Sequence, residues 1–197
     1  LSRLTGTTAS PSDETDSANG SAQVFPYRII RAYAAPPDAL HELMYYEDWA
    51  SGLLSHEYMH ILHLSTLGGL PELFNMLFGP WYLPNTIQPL WVLEGYAVYA
   101  ESRGERLGRI ESPLMRGYVY SLALADSFPD IDELSGYWRH WPYGTTPYLF
   151  GGLFVDYLSQ THDERWLAAY SKLYGSSLIP YAINIRFEHI FDKWLQE

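Results

Sequence analysis

The chain contains no cysteine. Disulfide bonds and thiolate metal sites are therefore excluded, and any metal must be held by histidine and carboxylate. Basic residues are scarce: 12 Lys and Arg stand against 23 Asp and Glu, a formal net charge of -11. A phosphate backbone needs a basic face, so nucleic-acid binding is not expected. No apolar run is long enough to span a bilayer. No signal-peptide pattern is present, and the start at Leu1 rather than Met reads as an excised piece of a longer protein. What is abundant is aromatic: 17 Tyr, 7 Trp and 8 Phe among 197 residues, within a composition that is 47% hydrophobic. That describes one globular domain with a bulky core.

Residues 1–22 are rich in Ser, Thr, Asp, Gly and Ala, without hydrophobic period, and are read as a flexible arm or linker. The domain proper is placed at 23–197. Residues 25–35 have strand character and end at Pro36-Pro37. Beyond them the pattern is helical. Asp48 is a suitable N-cap for a helix running to about Thr66 and closed by Gly68-Gly69. A second long helix is expected just after Pro89, ending near Gly104. Further helices are expected at about 113–127, 147–161, 164–174 and 186–196, with a loop at 128–146. The fold class is therefore α+β, mostly α, with a small N-terminal β element and a helical C-terminal part.

Residues 56–60 read His-Glu-Tyr-Met-His. Helix positions four apart differ by about 40° in direction and about 6 Å in rise, so His56 and His60 point the same way and can meet one ion. Glu57, turned by about 100°, borders such an ion without binding it, where a base for an activated water belongs. The same pattern also occurs on ordinary helices with surface His and Glu. His63 lies near the same face, yet its spacing of three from His60 reads as a core or rim histidine. Thr66 stands where a metzincin would need histidine.

Residues 91–101, Trp-Val-Leu-Glu-Gly-Tyr-Ala-Val-Tyr-Ala-Glu, form a mostly apolar helix with Glu94 in its interior. A buried carboxylate is costly unless paired or metal-bound. An ion pair would account for it alone; with the upstream histidines, a two-His, one-Glu zinc shell is the better account. Gly95 weakens the helix centre and makes room for the first helix or for a ligand. Glu101 lies seven residues on, about 10 Å further along the same face. It is too far to join the shell, and is either a hydrogen-bond partner of a ligand histidine or an exposed helix-end charge.

The series His56-Glu57-x-x-His60 followed by Trp91-x-x-Glu94-Gly95-x-Ala97-x-Tyr99-x-Glu101 resembles the gluzincin zinc metallopeptidases. It is similar to the aminopeptidase-N-like enzymes and, more closely, to bacterial peptidase MA-like domains, which often stand beside β-propeller repeats. Asp48-Trp49 belongs to the same likeness, which covers roughly residues 28–195. The resemblance implies a thermolysin-like catalytic domain, Zn2+ on His56, His60 and Glu94, Glu57 as general base, and a peptide or protein substrate. It also implies a bacterial envelope or extracellular setting. The Tyr-x-x-Gly beginning at Tyr148 matches the element that supplies a hydroxyl to the tetrahedral intermediate; His140 and Tyr143 are alternatives in the adjacent loop. Two departures matter. The 33 residues between His60 and Glu94 exceed the usual spacing in the aminopeptidase-N-like group. No Gly-x-Met-x-Asn strand is present, so the aminopeptidases' grip on a free amino terminus does not carry over.

The long spacer is an apolar, proline-rich segment. Phe78, Trp81 and Tyr82 are expected to wall a substrate groove or lid over the metal, with a membrane-surface or partner contact as the competing reading. The alternative to peptide hydrolysis is an inactive metal-binding module of a larger envelope protein.

Overall fold

The computed structural model describes residues 19–33, 44, 46–103, 108–130, 133–135, 140–162, 164–179 and 183–191. Strands β1 (Asn19–Gln23) and β2 (Ile29–Tyr33) form an antiparallel two-stranded sheet, with Asn19 opposite Tyr33 and Gln23 opposite Ile29. Seven helices follow among the described residues: α1 (Trp49–Leu64), α2 (Gly69–Phe78), α3 (Leu90–Arg103), α4 (Pro113–Leu124), α5 (Thr146–Thr161), α6 (Arg165–Gly175) and α7 (Ile183–Phe191). The mostly helical α+β class is as expected.

Several boundaries differ from the sequence reading: the strand expected at 25–35 spans Ile29–Tyr33, the helix expected at 113–127 ends at Leu124, and the one expected at 186–196 begins at Ile183. The arm assigned to 1–22 does not extend to residue 22, because 19–22 belong to β1; residues 1–18 lie outside the described residues. Gly68 and Gly69 do not close α1. That helix ends at Leu64, where the Ser65 and Thr66 hydroxyls donate to the Ile61 and Leu62 carbonyls at 2.6 and 2.8 Å. The two glycines instead open α2.

The start of α1 is fixed as its sequence suggests: the Asp48 carboxylate accepts a hydrogen bond from the Ser51 amide at 3.1 Å. Its end is held by fully buried Asn85, whose amide nitrogen reaches the carbonyls of His63, Thr66 and Ser171 at 3.1, 2.8 and 3.0 Å. Orphan helix-end carbonyls are thus given partners from a distant turn.

Helix α3 is the centre of the molecule. Trp91, Val92, Glu94, Tyr96, Val98, Tyr99 and Glu101 are all buried, so it is enclosed on every side. α1 packs on one flank and α5 on another. The α5 contact explains Gly95. A Cβ there would stand 2.6 Å from the Gly151 carbonyl oxygen, and a Cβ on Gly151 would collide with the carbonyl oxygen of Trp91. Gly95 therefore admits α5, where the sequence reading offered the first helix or a ligand. Two backbones this close leave no volume for a methyl group. Because the new methyl would meet backbone and not a flexible side chain, Gly151→Ala should cost about 3 kcal/mol by overpacking, a net loss of about 2 kcal/mol after alanine's helix preference of about 1 kcal/mol. Thermal denaturation should show a midpoint several degrees below wild type; an unchanged midpoint would mean the helices are less closely apposed.

Candidate metal centre

α1 turns His56 and His60 toward α3, and α3 presents Glu94 back to them. The three ligand atoms form a near-equilateral triangle. His56 Nε2 lies 3.2 Å from His60 Nε2 and 3.3 Å from Glu94 Oε2, and His60 Nε2 lies 3.4 Å from Glu94 Oε2. In a zinc tetrahedron with bonds of about 2.05 Å, neighbouring corners are about 3.3 Å apart. Three atoms at these separations could all meet one metal ion. Glu94 Oε2 is buried and touched by both imidazoles, yet it accepts no well-aligned hydrogen bond among the described residues. A buried carboxylate oxygen and two imidazole nitrogens that converge in this way fit a cation among the three. His56, His60 and Glu94 are thus a group that could hold a metal ion.

Charges around the cluster favour a cation. Burial opposes ionisation of Glu94, but the adjoining imidazoles outweigh it and lower its pKa to about 2. Burial likewise opposes a charge on His56, and the Glu101 and Glu94 carboxylates overcome it, raising its pKa to about 9. The carboxylate field that raises the proton affinity of His56 acts in the same sense on a metal ion.

Glu101 resolves into the first of its two readings. It is fully buried, and His56 Nδ1 donates to its Oε2 at 3.0 Å. Tyr46 donates its hydroxyl to Oε1 at 2.7 Å, and Arg109 Nε stands 3.2 Å from the same oxygen. Burial raises the proton affinity of Glu101, and Arg109 and His56 more than reverse it, so it is an ionised acceptor. A carboxylate can only accept, so Nδ1 carries a proton and Nε2 is the atom left for a cation.

Glu57 is buried beside the triangle without being part of it. Strand β1 covers it: a Cβ on Gly20 would stand 2.7 Å from Glu57 Oε1. Burial raises the pKa of Glu57, while the two imidazoles pull it back. Its proton affinity thus lies above that of a free carboxylate, which suits a base. Tyr148, in the first turn of α5, stacks on His56 with ring centroids 6.0 Å apart and planes 18° from parallel. His140 and Tyr143 lie exposed in the loop before α5.

His63 is a core histidine, as its spacing suggests. It stacks on Tyr96 at 4.3 Å, and Gln88 Nε2 stands 3.2 Å from its Nε2. Burial lowers its pKa to about 3, which keeps it neutral.

Phe78, Trp81 and Tyr82 are not placed over this centre. With Leu70, Leu73, Phe74, Leu77 and Leu178 they wall an apolar groove of about 580 Å³ whose lining includes none of His56, Glu57, His60 or Glu94. The reason is the direction of the chain: α2 leaves from the C-terminal end of α1, beyond both ligand histidines, and Tyr82 ties the segment to the Ser177 and Leu178 carbonyls.

Tyr46 and Arg109 carry part of the site, yet the sequence reading singles out neither. Each comes from a segment without a motif, and each acquires its role by packing against Glu101.

Among the described residues no helix is long and apolar enough to cross a membrane. No family model matches the chain, and no solved structure matches it. It is 30% identical over 122 residues to an uncharacterized protein of Treponema pallidum (strain Nichols). That match takes in 62% of this chain and only 11% of the relative, so the chain corresponds to a small part of that much longer protein.

Proposed function

We propose that this chain is a zinc-dependent peptide hydrolase of the gluzincin type. The observation that carries the reading is the triangle of His56 Nε2, His60 Nε2 and Glu94 Oε2, with edges of 3.2–3.4 Å. A zinc ion held there would act as a Lewis acid on a carbonyl and make a nearby water more acidic.

The protein's own residues supply the rest. Glu57 takes a proton from the attacking water while the water oxygen bonds to the peptide carbonyl carbon. The carbonyl oxygen gains negative charge, and the Tyr148 hydroxyl donates a hydrogen bond to it. When the carbon–nitrogen bond breaks, Glu57 returns its proton to the departing amine. Glu101 holds His56 in the orientation and tautomer that this scheme needs. The same reading makes the hairpin, α1 and α3 the core of a thermolysin-like catalytic domain. It places the domain in the bacterial envelope, beside β-propeller repeats of a longer chain.

Elemental analysis and a peptide library test the proposal together. The purified chain, exchanged into zinc and dialysed, should retain one zinc per chain. It should cleave peptide bonds in a library scored by mass spectrometry, lose that activity to a chelator, and regain it with added zinc. A chain that retains no zinc at neutral pH would overturn the reading.

A further inference from the structure

Arg109 opens a short 3₁₀ turn, Arg109–Glu111, that follows α3. A buried arginine in a turn calls for an explanation, and its contacts give one. Its guanidinium faces two groups at once. Nε stands 3.2 Å from Glu101 Oε1, and the guanidinium carbon lies 5.4 Å from the centroid of the Tyr148 ring. Glu101 holds His56 Nδ1, and Tyr148 stacks on His56. The four side chains therefore close a circuit: Arg109 to Glu101, Glu101 to His56, His56 to Tyr148, and Tyr148 back to Arg109. The turn itself is pinned to the circuit, because the Arg109 backbone amide donates to the Tyr46 hydroxyl at 2.9 Å, and that hydroxyl donates to Glu101.

We propose that Arg109 is a positioning residue that sets two groups together: the ligand His56, through Glu101, and the hydroxyl-bearing Tyr148, through its ring. The proposal rests on the metal-hydrolase reading above. The two jobs make different demands. Compensating the buried carboxylate needs a positive charge. Supporting the tyrosine ring is a task that arginine's broad planar guanidinium, which can cover an aromatic face, performs better than lysine's compact ammonium. A residue that only neutralised a buried charge would have no use for the second.

That difference supplies the test. In the whole chain, zinc affinity would be measured by competition with a chromophoric chelator, and kcat at saturating zinc on the best library peptide. Arg109→Met should weaken zinc binding by about 10–100-fold, the usual effect of disturbing a ligand's hydrogen-bond partner. It should also lower kcat at saturating zinc by about tenfold or more through misplacement of Tyr148. Arg109→Lys should restore zinc affinity to within about threefold of wild type while kcat stays low. Zinc affinity of Arg109→Met equal to wild type would overturn the proposal, and so would a lysine variant that restores both properties or neither. Should Arg109→Met fail to fold, the lysine variant decides alone: kept affinity with lowered kcat supports the proposal, and any other pairing sinks it. A wild-type chain that binds zinc but cleaves no peptide would count against the hydrolase reading, whereas the zinc affinities would still decide whether Arg109 acts on His56.

Discussion

Glu57→Gln should leave zinc at one per chain and lower kcat by about 10²–10⁴-fold, the usual worth of a general base. The two halves of this result follow from one piece of geometry. Glu57 is adjacent to His56 in sequence but outside the ligand triangle, so the metal does not depend on its charge. Glutamine has the same shape and fits the space under Gly20, where the Glu57 carboxyl is held closely by β1. What glutamine lacks is the capacity to take a proton. Burial has already raised the proton affinity of Glu57, so the native carboxyl is better matched to that task than an exposed one. Zinc content by elemental analysis and kcat on the same peptide would be read on one preparation. A glutamine variant that cleaves at the wild-type rate would remove Glu57 from the mechanism, and one that loses zinc would make it a ligand or a structural support.

The parts of the site that are legible in the sequence are those that two helices impose by their own period. His56, Glu57 and His60 share a turn of α1, and the Asp48 cap and Pro89 mark where α1 and α3 begin. Glu94 is conspicuous because a carboxylate in an apolar helix needs a partner. Strand β1 is not legible, since Asn-Gly-Ser-Ala-Gln shows no alternation of apolar and polar residues. Its backbone, and not a row of apolar side chains, approaches α1, and Gly20 is small because Glu57 lies against it. The role of Gly95 is legible only halfway: a mid-helix glycine announces a close approach, but not which helix approaches. Glu101 has two readings from spacing, and only the meeting of Tyr46, Arg109 and His56 around it chooses between them. The aromatic spacer misleads for a related reason. Its apolar character announces a surface, while its position depends on which end of α1 it leaves from.

His60→Ala should abolish stoichiometric zinc altogether. The native triangle supplies three ligand atoms, and removing one leaves His56 and Glu94 alone. Structural zinc sites with four ligands bind with about 10–16 kcal/mol, or about 2.5–4 kcal/mol for each ligand, so the lost imidazole should weaken binding by roughly 10²–10³-fold. A second readout separates loss of metal from loss of fold. A ligand present at 1,000 times its dissociation constant stabilises the native state by about 4 kcal/mol. Chelator should therefore lower the thermal midpoint of the wild-type chain, while the midpoint of His60→Ala should be the same with and without chelator. The variant should match wild-type protein in chelator, because His60 lies on the side of α1 that faces Glu94 and belongs to none of the apolar core clusters among the described residues. Retention of one zinc per chain by His60→Ala, with a midpoint still sensitive to chelator, would show that the ion is held elsewhere and that the α1–α3 triangle is not its site.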